Sequence, residues 1–279
     1  ACAPHAAAGA SPSVCWARSP PCGGMPPVPK RRARSGPLYV VEHMEEGLEE
    51  WCRLEYMHMC EVVSPERLLF LRWPAGEDAA ALSPEGAPPP QTAVMGLQAL
   101  RPTLANEGGA QAVEGAPALP SWDRICLLDM DAEEALEPRD AANFDALILG
   151  GILGNVHERE DGTYGSDDRT RELRDLSFVH RRHLGPMQMT TDTALLVCSM
   201  VMEEAKQLAE IPWIDSPEIA DAAAAGAENG TGEPSDCVCM EGFRYVARRG
   251  HGGEWEPALP RGMKELLIRD ANNDILDQL

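Results

Sequence analysis

Short apolar runs alternate with longer amphipathic stretches along much of the chain. Each run spans four to seven residues, a length typical of buried β-strands. The predicted strands are 38–41, 68–73, 124–129, 144–149, 177–182, 211–215 and 243–249. Because these strands alternate with helices, the pattern predicts an α/β fold whose largely parallel sheet carries helices on both faces.

The stretches between the strands show helical periodicity. A long helix is predicted from Thr190 to about Glu210, where apolar residues recur at three- and four-residue steps. Shorter or terminal helices are predicted over 167–174 and 263–279. The first helix follows Gly47, with these residues near one face: Leu48, Trp51, Leu54, Glu55 and Met59.

Three segments lack any periodicity, namely 1–37, 74–120 and 220–241. They are rich in Ala, Gly and Pro and bury too little apolar surface to offset the entropy of ordering. The sequence therefore predicts a disordered N-terminal tail and two disordered insertions, with a short helix possible around 92–100. The remainder, 38–279, is predicted to be one domain. The tail has no acidic residue, so it resembles either an organelle transit peptide or a leader without function.

The charge of the chain restricts its partners. The net charge of the whole chain is −21. All charged residues within 1–37 are basic, so the rest of the chain carries a net charge of −26. Such a surface repels nucleic acid and attracts basic proteins. No apolar run approaches the roughly 18 residues of a membrane-spanning helix. Nine irregularly spaced cysteines predict a reducing compartment, with the cytoplasm as the first choice, and Cys237-x-Cys239 lacks the second pair that a zinc site needs.

Two loops could bind a ligand. The first, Gly-Gly-Ile-Leu-Gly at 150–154, follows a buried strand, and its glycines let backbone amides approach a ligand closely. Its spacing fits neither a dinucleotide fingerprint nor a Walker loop. The second, 184–194, leads from a strand into a helix start that Thr190 and Thr191 can cap. Taken alone, each loop is better explained by an ordinary strand exit or an ordinary capped helix start.

Taken together, the two loops resemble the cofactor site of the SPOUT methyltransferases, which bind S-adenosylmethionine in a deep trefoil knot. The resemblance is to the branch of the yeast protein arginine methyltransferase that modifies a small-subunit ribosomal protein. It extends from about residue 38 to the C-terminus, outside the low-complexity segments. Further matching segments are 39–47, 54–56, 144–145, 168–170, 172–173, 181–182, 214–215, 217–218, 243–246, 259–260 and 262–263.

The resemblance implies a fold with a C-terminal knot and a role for each loop. Asp215 would close the site nearby, and the loop 155–166 is longer than expected for this branch. The residues implied to bind S-adenosylmethionine are Leu149, Gly150, Gly151, Ile152, Leu153, Gly154, Leu184, Gly185, Gln188, Met189, Thr190, Thr191, Thr193 and Ala194.

Arginine methylation needs carboxylates, because a guanidinium stays protonated and its donors must be satisfied. Glu42 is the preferred candidate because it directly ends a buried strand, whereas His43 is expected to be a structural histidine. The full set of candidate catalytic residues is Glu42, Glu45, Glu46, Asp168 and Asp192.

The acidity of the chain favours a basic ribosomal protein as the substrate. RNA methylation by the same fold is the alternative, as is a protein that binds the cofactor without catalysis. Arg181, Arg182 and His183 form the compact basic cluster of the domain, which would contact a carboxylate or a phosphate or end a strand in solvent. The enzyme is expected to act as a monomer or a homodimer.

Overall fold

The computed structural model describes residues 36–104, 117–150, 156–158, 164–166, 170–220, 237–250 and 252–277. Nearly all of the predicted N-terminal tail, 1–35, lies outside them. Within these ranges there are thirteen strands: β1 (Leu38–Glu42), β2 (Leu68–Leu71), β3 (Gln91–Ala93), β4 (Ile125–Leu128), β5 (Ala146–Gly150), β6 (Val156–Glu158), β7 (Tyr164–Ser166), β8 (His180–Arg182), β9 (Trp213–Asp215), β10 (Glu218–Ala220), β11 (Cys237–Cys239), β12 (Arg244–Arg249) and β13 (Trp255–Pro257).

Six of these strands form the central sheet in the order β3-β2-β1-β5-β4-β8. Every neighbouring pair in it is parallel, so the predicted parallel sheet is confirmed. The strands β9, β12 and β13 form a separate antiparallel sheet, and β10–β11 and β6–β7 form two antiparallel ribbons. Because the central strands are parallel, their carboxyl ends share one edge of the sheet.

Helices cover both faces of the sheet, as predicted. The α-helices are α1 (Glu50–Val62), α2 (Leu97–Leu104), α3 (Arg171–Arg174), α4 (Thr191–Met202) and α5 (Met263–Asp277). Tyr39 and Val41 of β1 pack into the core that contains α1 and α4. Val40, between them, packs into the core that contains α2 and α3. Alternate side chains of one strand therefore belong to opposite faces, as the period of a strand requires.

The prediction of a disordered insertion over 74–120 is wrong for its first part. Residues 79–82 form a 3₁₀ turn, and β3 and α2 follow. Leu82, Leu97 and Leu100 are almost completely buried, so a few well-spaced leucines anchor this Ala- and Pro-rich stretch. The predicted short helix is present, but it starts at Leu97. Residues 105–116 lie outside the described ranges.

β-Strands lie at both ends of the second predicted insertion, 220–241. Its two ends, β10 and β11, pair antiparallel, with Ile219 opposite Val238. Ile219 is buried in the same cluster as Met263 of α5, so the ribbon packs on the C-terminal helix. The segment 221–236 falls outside the residues that the structure describes.

The helix predicted over 190–210 is also shorter than expected. It ends at Met202, and Ala205 takes a left-handed backbone angle, φ 59°. The N–H of Lys206 then bonds back to the carbonyl of Met200 at 3.1 Å, which closes the helix end. Among the described residues, no helix is long and apolar enough to cross a bilayer. The knot stays a prediction.

Candidate cofactor and substrate site

The carboxyl edge of the sheet brings β1 and β5 together. Glu42, the last residue of β1, lies opposite Gly150, the last residue of β5, in the parallel register. The ends of these two strands therefore lie side by side. Glu45 and Glu46 follow β1 in the chain. Gly151, Ile152, Leu153 and Gly154 follow β5 and lie outside the described residues, as does Asp168.

The strand end at Gly150 is closely packed. A Cβ atom at this position would lie 3.4 Å from Thr170 Oγ1 and 3.6 Å from Leu173 Cδ1. Leu149, just before it, is buried in the core. These are ordinary van der Waals distances, so the packing of α3 against the end of β5 does not itself require a glycine, and the close approach to a ligand stays a prediction.

The second predicted loop joins β8 to α4. Gly185 has φ 123°, which an L-amino acid rarely adopts, and its N–H donates to His183 Nδ1 at 3.1 Å. The carbonyl of Gln188 accepts from the N–H of Arg244 at 2.8 Å, which ties the loop to β12. Leu184 and Met189 are half-buried and pack against the core on one side. A left-handed glycine beside half-buried apolar side chains fits a cofactor that combines an adenine ring with an alkyl chain bearing a sulfonium.

Threonines surround the start of α4. Thr190 Oγ1 donates to Thr193 Oγ1 at 2.8 Å, and Thr190, Thr191 and Thr193 are all buried. The N–H of Ala194 bonds to the carbonyl of Thr190 at 2.9 Å and forms the first turn of the helix. The Thr190 side chain is therefore tied to the first turn of α4 through Thr193, and it makes no capping bond to a backbone N–H of the helix, contrary to the predicted cap.

Asp192 lies in the same turn and is completely buried. Its Oδ2 is 2.7 Å from His58 Nδ1 of α1. One helical turn before His58, Glu55 is also completely buried, and its Oε1 accepts from Trp51 Nε1 at 2.6 Å. The sequence placed Glu55 on the buried face of α1 but gave it no role, because an acidic residue on such a face shows its partner only when α4 is packed against it.

Glu42 lies on the other face of the sheet. Its side chain is 1% exposed, and its Oε1 is 2.8 Å from Arg72 Nε. The N–H of Leu97, at the start of α2, donates to its Oε2 at 3.1 Å. Burial raises the pKa of Glu42 above its usual range, and the Leu97 N–H and Arg72 oppose this shift. Its role in substrate recognition stays a prediction, but its carboxylate is already bound by an arginine of its own chain.

The four predicted acids that the structure describes are thus not gathered in one place. Glu42 contacts α2 on one face of the sheet, whereas Asp192 contacts α1 on the other. Glu45 is half-buried and Glu46 is exposed in the loop between β1 and α1. His43, next to Glu42, has Nδ1 2.8 Å from the hydroxyl of Tyr56, which is the structural environment expected for it.

The basic cluster in and just after β8 contacts carboxylates of its own chain. Arg181 Nη1 donates to Asp129 Oδ2 at 2.9 Å, and Arg182 donates to both oxygens of Asp140 at 3.0 and 3.2 Å. The phosphate contact left open by the sequence is therefore not favoured. Asp215 is bound in the same way, because Arg244 donates to its two oxygens at 2.6 and 2.7 Å.

Comparisons with known proteins agree with this geometry. The family model described as "SFM1-like: Protein arginine N-methyltransferase SFM1-like" matches residues 38–274. Protein arginine N-methyltransferase SFM1 of Saccharomyces cerevisiae is 32% identical over 243 residues, which cover 86% of this chain and 99% of the relative.

Two solved structures of the yeast arginine methyltransferase SFM1 are similar to the whole fold. The complex with SAM has a TM-score of 0.61 and 27% identity, covering 87% of this chain and 94% of that one. The complex with SAH has a TM-score of 0.57 and 29% identity, covering 82% and 93%.

The parallel sheet with helices on both faces, together with these similarities, defines an α/β methyltransferase of the SPOUT class. The chain belongs to the SFM1-like family of protein arginine N-methyltransferases. The class predicted from the sequence, an S-adenosylmethionine-dependent protein arginine methyltransferase, is thereby confirmed.

Proposed function

We propose that this protein transfers a methyl group from S-adenosylmethionine to an arginine side chain of a basic ribosomal protein. The observation that carries the proposal is the parallel pairing of Glu42 with Gly150. This pairing places the end of β1, which leads into Glu45 and Glu46, beside the end of β5, which leads into the glycine segment 151–154. A site for a cationic substrate and a site for the cofactor would thus be adjacent at one edge of the sheet.

The cofactor residues are those that the sequence predicted. Among the described ones, Leu149, Gly150, Leu184, Gly185 and Met189 would make the apolar and close backbone contacts. Gln188 and the threonines around the start of α4 would make the polar ones. When bound, S-adenosylmethionine supplies an activated methyl group on a sulfonium, so the protein contributes position and electrostatics.

The carboxylates act on the substrate arginine. Its guanidinium must be held with one nitrogen facing the methyl group, and it must lose a proton when the new bond forms. Glu45 and Glu46 are more accessible than Glu42 or Asp192 and can accept charge-assisted hydrogen bonds from the planar fork. We therefore assign recognition of the substrate to Glu45 and Glu46, while Asp168 keeps its predicted role as an additional carboxylate.

A protein substrate is favoured over RNA on electrostatic grounds. The domain beyond residue 37 carries a net charge of −26, which attracts a basic protein and repels phosphates. The arginines that could have bound a phosphate, Arg181 and Arg182, are engaged by Asp129 and Asp140. RNA methylation and cofactor binding without catalysis are the outcomes that the following experiment would reveal instead.

The experiment incubates the purified protein with methyl-labelled S-adenosylmethionine and dissociated ribosomal subunits. Label should enter arginine of a protein and not RNA. Glu45→Gln and Glu46→Gln should each lower turnover roughly 10- to 150-fold, the cost of about 1.5–3 kcal/mol for a lost hydrogen bond to a charged group. Glu61→Gln, an exposed carboxylate on α1, serves as the control and should have little effect.

Calorimetry with S-adenosylmethionine separates substrate recognition from cofactor binding. The affinity of Glu45→Gln and of Glu46→Gln for the cofactor should differ little from that of the wild type. Normal turnover of both variants at saturating cofactor would contradict the assignment to Glu45 and Glu46. Label in RNA would establish the alternative substrate, and binding without any transfer would establish the non-catalytic alternative.

We place the protein in the cytoplasm, acting as a monomer or a homodimer. The irregular cysteine spacing supports a reducing compartment. A reporter fused behind residues 1–37 tests this assignment, since its import into an organelle would identify the tail as a transit peptide. Sedimentation of the purified protein distinguishes the monomer from the homodimer.

A further inference from the structure

Two buried carboxyl groups meet between α1 and the start of α4. Glu55 and Asp192 are both 0% exposed, and each has one oxygen with a partner. Trp51 Nε1 donates to Glu55 Oε1 at 2.6 Å, and Asp192 Oδ2 lies 2.7 Å from His58 Nδ1. Within the described part of the chain, Glu55 Oε2 and Asp192 Oδ1 have no hydrogen-bond partner.

Two neighbouring buried carboxylates cannot both be ionised without a large cost in free energy. Burial strips each carboxylate of water, and neighbouring negative charges repel strongly where the dielectric constant is low. A single proton removes the repulsion and at the same time gives both oxygens a hydrogen-bond partner, as in carboxyl pairs that share one proton. We propose that Glu55 is protonated and that its Oε2–H donates to Asp192 Oδ1, so that the two acids share one proton.

The electrostatics around Glu55 agree with this arrangement. Burial raises the pKa of Glu55 well above its usual value of 4.5, and the negative charge of Asp192 raises it further. The Trp51 indole and the backbone N–H groups of Asp192 and Thr191 oppose the shift without cancelling it. The other oxygen of Asp192 lies 2.7 Å from Nδ1 of His58, whose side chain is 14% exposed.

The shared proton makes Glu55 a positioning residue for the cofactor site, an assignment that rests on the proposed cofactor loop. Asp192 lies between Thr191 and Thr193, two of the predicted cofactor residues, in the first turn of α4. Its attachment to α1 through Glu55 therefore fixes the start of α4 and the loop before it. Loss of the proton would place two negative charges together and loosen this turn.

The sign of the pH dependence follows from the raised pKa. A group whose pKa is higher in the folded state stabilises the fold fully below its ordinary pKa, here 4.5. That stabilisation is lost as the pH rises towards and through the raised value. The folding equilibrium constant should thus fall by up to about tenfold per pH unit across this window.

The cysteine and tyrosine side chains near the pair stay uncharged around neutral pH. Burial raises the pKa of Cys52, on the same helix, to about 11. Burial also raises the pKa of Tyr56 and of Tyr245 in β12 well above their usual values. Charged groups near the two ends of α1 are paired, Arg269 of α5 with Glu50 and Arg67 with Glu203. His58, 2.7 Å from Asp192, is the remaining ionisable group of the cluster.

The test measures the stability of the cofactor-free protein by urea denaturation between about pH 5 and 9. Glu55→Gln keeps the shape and supplies a permanent N–H donor to Asp192. The unfolding free energy of Glu55→Gln should therefore lack the pH dependence that Glu55 contributes. His58 and the other titratable groups should contribute the same pH dependence to the variant and to the wild type. Glu61→Gln is the matched control on the same helix and should keep the slope of the wild type.

Infrared spectroscopy of the wild-type protein gives a second test that does not depend on a folded variant. A protonated carboxylic acid band should be present at neutral pH and, where Glu55→Gln folds, absent from that variant. An unchanged pH slope in Glu55→Gln, or no such band in the wild type, would overturn the proposal.

Calorimetry with S-adenosylmethionine over the same pH range tests the link to the cofactor site. The affinity of the wild type should fall with rising pH, and that of Glu55→Gln should fall less. If the wild type binds no cofactor while the stability slope and the infrared band are present, the cofactor assignment fails and the shared proton stands. If cofactor binds but the band is absent, the shared proton fails and the proposed function stands.

Discussion

Arg72 binds the buried carboxylate of Glu42, with Nε 2.8 Å from Oε1. The pair connects the residue after β2 with the last residue of β1, and Glu42 also accepts from the first N–H of α2. A Cβ atom on Gly96 would clash with Glu42 Oε1, so the glycine just before α2 allows this approach. A carboxylate at the edge of the sheet is thereby used to anchor a helix.

Arg72→Ala tests the anchoring role. It would leave Glu42 buried with its charge uncompensated, so we expect a loss of roughly 1–3 kcal/mol in the free energy of unfolding. Because Arg72 is 41% exposed, the loss should stay below that of a fully buried pair. Urea denaturation measures it. Arg53→Ala, which removes an exposed pair with Glu77, should cost less than about 1 kcal/mol. Equal losses in both variants would argue against the anchoring role.

Gly185→Ala tests the second ligand loop. The backbone angle φ of 123° is strained for any residue with a Cβ atom, and the nearest atom to that Cβ would be an Arg244 nitrogen at 3.8 Å, so there is no clash. The loop should therefore relax to another conformation. We expect the affinity for S-adenosylmethionine to fall at least about fivefold, since such strain costs about 1–3 kcal/mol.

Isothermal calorimetry measures this loss of affinity. Gly47→Ala is the control, since a Cβ atom there meets no atom within 4 Å. Unchanged affinity in a folded Gly185→Ala protein would remove this loop from the cofactor site.

Asp129→Ala tests the carboxylate that follows β4. Its side chain is 0% exposed and accepts from Arg174 at 2.8 Å and from Arg181 at 2.9 Å. Because one carboxylate joins β8 to the end of α3, its removal should cost about 2–4 kcal/mol of unfolding free energy. Chemical denaturation compares it with Asp131→Ala, whose side chain is 73% exposed. A loss below 1 kcal/mol in Asp129→Ala would show that the two arginines find other partners.

Arg244→Lys tests the contact between the cofactor loop and the small antiparallel sheet. Arg244 donates two hydrogen bonds to Asp215 and lies over the Trp213 ring at 5.2 Å, neither of which a lysine reproduces. The backbone bond to Gln188 remains, so the fold should be kept. We expect a modest decrease in affinity for S-adenosylmethionine, about two- to tenfold, in calorimetry. A complete loss of binding would instead indicate direct contact of Arg244 with the cofactor.

The hydrogen bond from Arg244 also lowers the pKa of Asp215, and its charge adds to the shift. The stabilisation from this pair is present above the usual pKa of 3.8 and is lost as the pH falls below it. The difference in stability between Arg244→Lys and the wild type should therefore shrink in acid. A difference that is constant from neutral to strongly acidic pH would contradict this origin.

Much of the fold could be predicted from local patterns. The core strands 38–41, 68–73, 124–129 and 144–149 are apolar runs, and a run of that kind has few ways to be buried other than inside a parallel sheet. The order of the strands was not predicted, because pairing depends on contacts between residues that are far apart in the chain. The position of helix α2 was not predicted correctly for the same reason. Its residues Leu97 and Leu100 are buried only when the sheet lies beneath them.

The sequence by itself determined the class of the protein, because several short motifs, each set by local strand ends and helix starts, occur in one order from residue 38 towards the C-terminus, as they do in this family. Only the tertiary structure decided what the acidic residues do. Glu42 ends a strand and Asp192 begins a helix, yet one meets Arg72 and the other meets Glu55 and His58. The role of a carboxylate depends on the charges and donors within a few ångströms of it, and the packing of distant segments supplies those.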